Sequence, residues 1–89
     1  MKHVDIRVSG KVQGVFFRAS AKEQADLLGV KGFVRNEGNG DVYIEAEGEE
    51  NKLQDFLKWC GHGPSRARVD NLKIEEGLLK NFEHFEVSR

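Results

Sequence analysis

The sequence has one cysteine, one proline and one tryptophan among its 89 residues. A lone cysteine, Cys60, cannot close an internal disulfide, so nothing requires an oxidising compartment. With one proline and no low-complexity stretch there is no candidate linker, and the length suits a single domain over residues 1–89. No apolar run approaches the ~18 residues of a membrane span. The first residues, Met1-Lys2-His3-Val4-Asp5, reach charge at once and lack the apolar core of a secretory signal. These absences predict a soluble, cytoplasmic chain, monomeric by default. A dominant charge is missing as well: 14 basic and 15 acidic side chains leave a net charge of -1. Such a balance does not draw a protein toward nucleic acid or an anionic membrane. Any anion bound here must be held by a local site.

What is present is enough for a core: 38% of the residues are hydrophobic, including six Phe. Val4, Ile6 and Val8 alternate with His3, Asp5 and Arg7, the period of a half-buried strand. Phe17, Ala21, Ala25 and Leu28 then form the stripe of an amphipathic helix, which Gly29 stops in a left-handed cap. Lys31–Asn36 reads as a strand around Phe33 and Val34. Glu37-Gly38-Asn39-Gly40 reads as a tight hairpin turn, because Asn-Gly accepts positive φ. Val42, Ile44 and Ala46 alternate on the returning strand, which Gly48 ends. Leu53, Phe56, Leu57 and Cys60 give a second helical stripe, opened by Glu49 and Glu50 and closed by Gly61 and Gly63-Pro64. A strand over Ala67–Glu75 loses its alternation near Asn71, which predicts a bulge there. His84–Val87 is a short last strand.

The order is strand, helix, strand, strand, helix, strand, strand. This is the split βαβ pattern of an α+β, ferredoxin-like sandwich, with two helices on one face of a mostly antiparallel five-stranded sheet.

The segment Ser9–Ser20, SGKVQGVFFRAS, raises a chemical question. Arg18 falls at a helix start, where the positive end of the helix dipole opposes it. A glycine-bearing loop entering a helix can aim successive backbone N–H groups at an anion. A bound dianion would then offset both Arg18 and the dipole, with the planar guanidinium gripping two of its oxygens. The alternative is an ordinary strand-to-helix turn with a solvated arginine. The loop is not a nucleotide-binding P-loop: three residues separate Gly10 from Gly14, and no Gly-Lys-Ser/Thr follows. Asn36, at a strand end before a glycine turn, fits local turn chemistry, or else an amide that holds a water.

GKVQGVFFR, Gly10–Arg18, resembles the first signature of the acylphosphatases, and GFVRNEGNGDVYIEAEG, Gly32–Gly48, resembles their second. GPSRARV, Gly63–Val69, resembles a third recurrent stretch of that family. The resemblance spans nearly the whole chain. It implies the same sandwich and the hydrolysis of acyl phosphates to a carboxylate and inorganic phosphate. It further implies that Arg18 binds the phosphoryl oxygens, that the backbone N–H groups of Gln13, Gly14, Val15, Phe16, Phe17 and Arg18 cradle them, and that Asn36 orients the attacking water. The implied partner is a small acyl phosphate, with no cofactor and no metal. Phe16 falls at a variable position of the motif, and its side chain has no implied role.

Other residues read as structural. His3, His62 and His84 are scattered and lack metal-ligand spacing, so they read as ordinary surface or strand histidines. Glu45, Glu47, Glu49 and Glu50 read as a solvated acidic face. Cys60 belongs to the helical apolar stripe. Trp59 either lines a pocket or seals a helix edge. Three rival functions share the fold. An RNA-binding module is one, because KGFVRN faintly echoes an RNA-recognition strand, but it lacks the second aromatic alternation that stacks bases. A domain that only senses carboxy- or carbamoyl-phosphate is another, and an adaptor using the sheet face is the third.

Overall fold

The periodicities become elements at almost the expected places in the computed structural model, which describes residues 1–88. They are β1 (Lys2–Lys11), α1 (Phe17–Leu28), β2 (Lys31–Asn36), β3 (Val42–Gly48), α2 (Glu50–Cys60), β4 (Arg68–Gly77) and β5 (Phe85–Val87). The sheet runs β4-β1-β3-β2-β5. All neighbours are antiparallel except β2 and β5, which run parallel. The fold is the ferredoxin-like α+β sandwich.

Both helices pack on one face. Val4, Ile6, Val8, Val34, Val42, Ile44 and Ala46 point from the sheet into a core completed by Phe17, Ala21 and Ala25 of α1 and Leu53, Phe56 and Cys60 of α2. Burying one such Leu, Val or Phe side chain is worth about 1.5–3 kcal/mol, so this layer supplies most of the stabilisation. Gly29 closes α1 in a left-handed conformation, with its N–H reaching back to the Ala25 and Asp26 carbonyls. Trp59 stands against the rings of Phe17 (5.2 Å between centroids) and Phe56 (6.3 Å), so it seals the junction of the two helices.

The bulge lies beside Asn71, as expected. Ser9 pairs with Asn71 and Gly10 with Val69, which leaves Asp70 as the extra residue. Gly10 is required there: its φ is +129°, and a Cβ would meet the Arg68 carbonyl at 2.2 Å.

The second sheet face overturns the expected solvated acidic strand. Every residue of β3 is buried, including Glu45 and Glu47. Of the surface and strand readings left open for His3, the strand one holds: it lies in β1 with 3% of its surface exposed. Period-two alternation predicts one dry and one wet face only when nothing covers the second. Here β4 and β5 are opposite edges of the sheet, and the chain joining them crosses that face. The Phe82 ring lies over His3 (6.1 Å) and edge-on to Phe33 (5.9 Å). The backbone N–H groups of Lys80 and Phe82 donate to the Glu47 carboxylate. The Lys80 ammonium donates to Glu45 at 2.7 Å, and Tyr43 donates to the other Glu45 oxygen at 2.8 Å.

His3 completes this cluster. Nδ1 lies 2.7 Å from Glu47 Oε2, and Nε2 lies 2.8 Å from Asp5 Oδ1. A neutral imidazole donates one hydrogen bond, whereas an acceptor at each ring nitrogen is satisfied by imidazolium. Burial works to lower the His3 pKa, but the hydrogen bonds and charges of Glu47 and Asp5 outweigh it and raise the pKa. Burial works to raise the pKa of Glu47, but the Lys80 amide, the His3 ring and the Phe82 amide hold it below the usual carboxylate value. For Glu45 burial is likewise outweighed, chiefly by Lys80 and Tyr43. His3, Asp5 and Glu45 have a metal-like grouping, but ring and carboxylates are already engaged with one another and with Lys80.

Candidate active site

The other end of the sheet carries a different polar group. Side chains alternate along β2, so Asn36 shares the helix-side face with buried Val34. The start of α1 faces the same end. A cleft of about 290 Å³ opens there, lined by Val12, Gly14, Phe16, Phe17, Arg18, Ala19, Asn36 and Val87. The fold thus brings Arg18 and Asn36, from separate elements, to one small-molecule-sized cleft.

The loop before α1 has an unusual backbone. Gly14 has φ +72° and Phe16 has φ +66°, while Val15 between them stays at negative φ. Positive φ at two positions so close together can turn successive N–H groups toward one point, as in an anion-binding nest. Gly14 takes its conformation freely. Phe16 does not, and a side chain held there costs about 1–2 kcal/mol.

Phe16 is also the N-cap of α1. It makes no side-chain cap, and the first turn holds no acidic residue. The leading N–H groups of a helix have no partner within the helix. In α2 the same need is met in part by acidic Glu50 in the first turn. In α1 that place is taken by Arg18, so the dipole and guanidinium reinforce one another. A dianion suits such an end.

Arg18 is half-buried, and one of its N–H groups donates to the Ser88 carbonyl at 3.0 Å. That contact fixes the side chain by a neutral acceptor, and no acidic side chain among the described residues pairs with it. Asn36 Oδ1 is shielded from solvent and accepts no hydrogen bond from any described residue. An amide oxygen in that state costs about 1–3 kcal/mol, and such groups concentrate where a ligand or water completes them.

Of the remaining residues named from the sequence, Val15 and Phe17 turn their side chains into the core and offer the site only their backbone. The Gln13 side chain does something that sequence reasoning missed. Its Nε2 donates to the carbonyls of Glu37 at 2.8 Å and Asp41 at 2.9 Å, on either side of the hairpin tip. This ties the first loop to the hairpin that carries Asn36. The sequence signal was available: a long amide side chain inside a glycine-bounded loop has little to bond locally. Val87, also unassigned from sequence, closes the cleft from β5.

The sequence model of the acylphosphatase family matches residues 4–87. The chain is 51% identical over 72 residues to an acylphosphatase of Anaeromyxobacter sp., an alignment covering 81% of this chain and 77% of that one. It is 46% identical over 87 residues to an acylphosphatase of Thermotoga maritima, covering 98% and 97%. Among solved structures, the acylphosphatase from Bacillus subtilis superposes with a TM-score of 0.97 at 34% identity and covers all of both chains.

Proposed function

The chain belongs to the acylphosphatase family, and on that premise we propose that it hydrolyses acyl phosphates to a carboxylate and inorganic phosphate. The observation that carries this reading is the meeting of Arg18 and Asn36 in one cleft at the uncapped start of α1. In this reading the N–H groups of Gln13 to Arg18 cradle the phosphoryl oxygens, Arg18 binds two of them, and Asn36 Oδ1 accepts a hydrogen bond from the attacking water.

So few groups suffice for this chemistry. The water oxygen bonds to phosphorus as the bond from phosphorus to the acyl oxygen breaks, and the bonding pair leaves on a carboxylate. A carboxylate is a weak base and departs with little help from an acid. Phosphoryl transfer passes through a loose transition state, so water needs orientation more than activation. Charge stabilisation by preorganised donors then contributes most, at about 10²–10³ in rate per donor. Among the described residues, no Asp, Glu or His lines the cleft. The water's proton therefore passes to a substrate oxygen or to solvent. We read the enzyme as a single-domain monomer that works without metal or nucleic acid.

The test is release of carboxylate from benzoyl phosphate in excess chelator, by the wild type and by Asn36→Ala. Turnover in the wild type that falls about 10²-fold in the variant supports a held water. Wild-type protein that binds inorganic phosphate but turns over nothing would make this a sensing domain instead.

A further inference from the structure

Phe16 is an expensive residue that the core does not use. It sits at positive φ, where glycine or asparagine would rest more easily, and 71% of its surface is exposed. Its ring stacks on no other aromatic among the described residues, and its side chain caps nothing. Yet it lines the cleft beside Arg18. Val12 and Val87 add apolar surface to the same walls, and Val87 is itself 42% exposed. A strained, solvent-facing aromatic beside an arginine suggests contact with a ligand rather than packing.

An acyl phosphate has two unlike ends. Resting on the function proposed above, the phosphoryl end belongs to the N–H groups and Arg18. The acyl substituent must project away from that cradle, past the residue that shapes the cleft's edge. We propose that Phe16 is a specificity-determining residue whose ring binds the acyl substituent, so that aromatic and larger apolar acyl phosphates are preferred over acetyl phosphate. Ring-on-ring contact adds selectivity beyond simple area burial. The contact involves a non-reacting part of the substrate, so its loss raises KM more than it lowers kcat.

The experiment compares kcat/KM for benzoyl phosphate and acetyl phosphate in the wild type, Phe16→Gly and Phe16→Leu. Both substrates carry the same phosphoryl group, so their ratio cancels whatever a substitution does to the cradle. The expected result is a benzoyl-to-acetyl ratio that falls about tenfold in Phe16→Gly, carried mainly by the benzoyl KM, with Phe16→Leu between the two. Phe16→Gly relieves the backbone, so its melting temperature should hold or rise, which separates lost contact from lost folding. A ratio that stays within twofold while both substrates are turned over would overturn the assignment of Phe16 and leave the hydrolase reading intact. Absence of turnover for both substrates in the wild type would overturn both.

Discussion

The two ends of the sheet carry two polar clusters built on opposite terms. At one end His3, Glu45 and Glu47 are buried, and Asp5, Lys80, Tyr43 and two backbone N–H groups complete their hydrogen bonds. At the other, among the described residues no acidic side chain pairs with Arg18, Asn36 Oδ1 accepts no hydrogen bond, and Phe16 holds a left-handed backbone. The first cluster fastens the chain between β4 and β5 onto the sheet. The second leaves groups unsatisfied at a cleft, where a substrate can complete them. Burial of polar groups alone therefore does not point to a site; on the function proposed above, it is the unsatisfied groups that do.

The contrast can be broken from either side. The largest expected effect is on the satisfied cluster. Glu47→Ala strands His3 and the N–H groups of Lys80 and Phe82, and should cost about 3–5 kcal/mol of stability in urea unfolding. The folded fraction should keep its hydrolytic rate. A loss of rate that exceeds the loss of folded protein would show that the two ends are coupled.

Next comes Arg18. Arg18→Lys should lose about 10²–10³ in kcat/KM, nearly as much as Arg18→Ala, because a point charge cannot replace the planar fork. Retention of most activity by the lysine variant would rule out two-point binding. Asn36→Ala should leave the affinity for inorganic phosphate within about threefold. It removes an unsatisfied acceptor, so stability should hold or rise by up to about 1 kcal/mol, the reverse of Glu47→Ala. A large drop in phosphate affinity would move Asn36 into the phosphate cradle.

The smallest effect is the pH dependence of the melting temperature. Glu45 and Glu47 have lowered pKa values in the fold, so their contribution is full above the ordinary value of 4.5 and is lost as pH falls through their folded values. His3 has a raised pKa, so its contribution is full below its ordinary value of 6.5 and is lost as pH rises through its folded value. The melting temperature should therefore peak between about pH 4.5 and 6.5. His3→Gln should flatten the alkaline limb and weaken the acid limb only in part, because the Lys80 and Phe82 amides still hold Glu47 down and Lys80 and Tyr43 still hold Glu45 down. An unchanged alkaline limb in that variant would show that the imidazolium is not what the two carboxylates hold.

The amino-acid sequence by itself determined the seven elements, their order, the apolar stripes of both helices and the loop that enters α1. Those features are local: a strand or helix reports its period within a few residues, and glycines mark where the backbone must turn. Spacing alone left Arg18 and Asn36 open between ordinary and chemical roles, and only the family's long motifs tipped them. Tertiary structure decided the rest, because it joined residues far apart in the chain. Glu47 looked solvated until a segment more than thirty residues downstream laid two N–H groups on it. Gln13 looked like loop filler until the hairpin arrived to receive its side chain. Asn36 acquired an unsatisfied oxygen only when β2 set it beside the start of α1. Burial and hydrogen-bond satisfaction depend on what covers a residue, and the chain nearby carries no record of that.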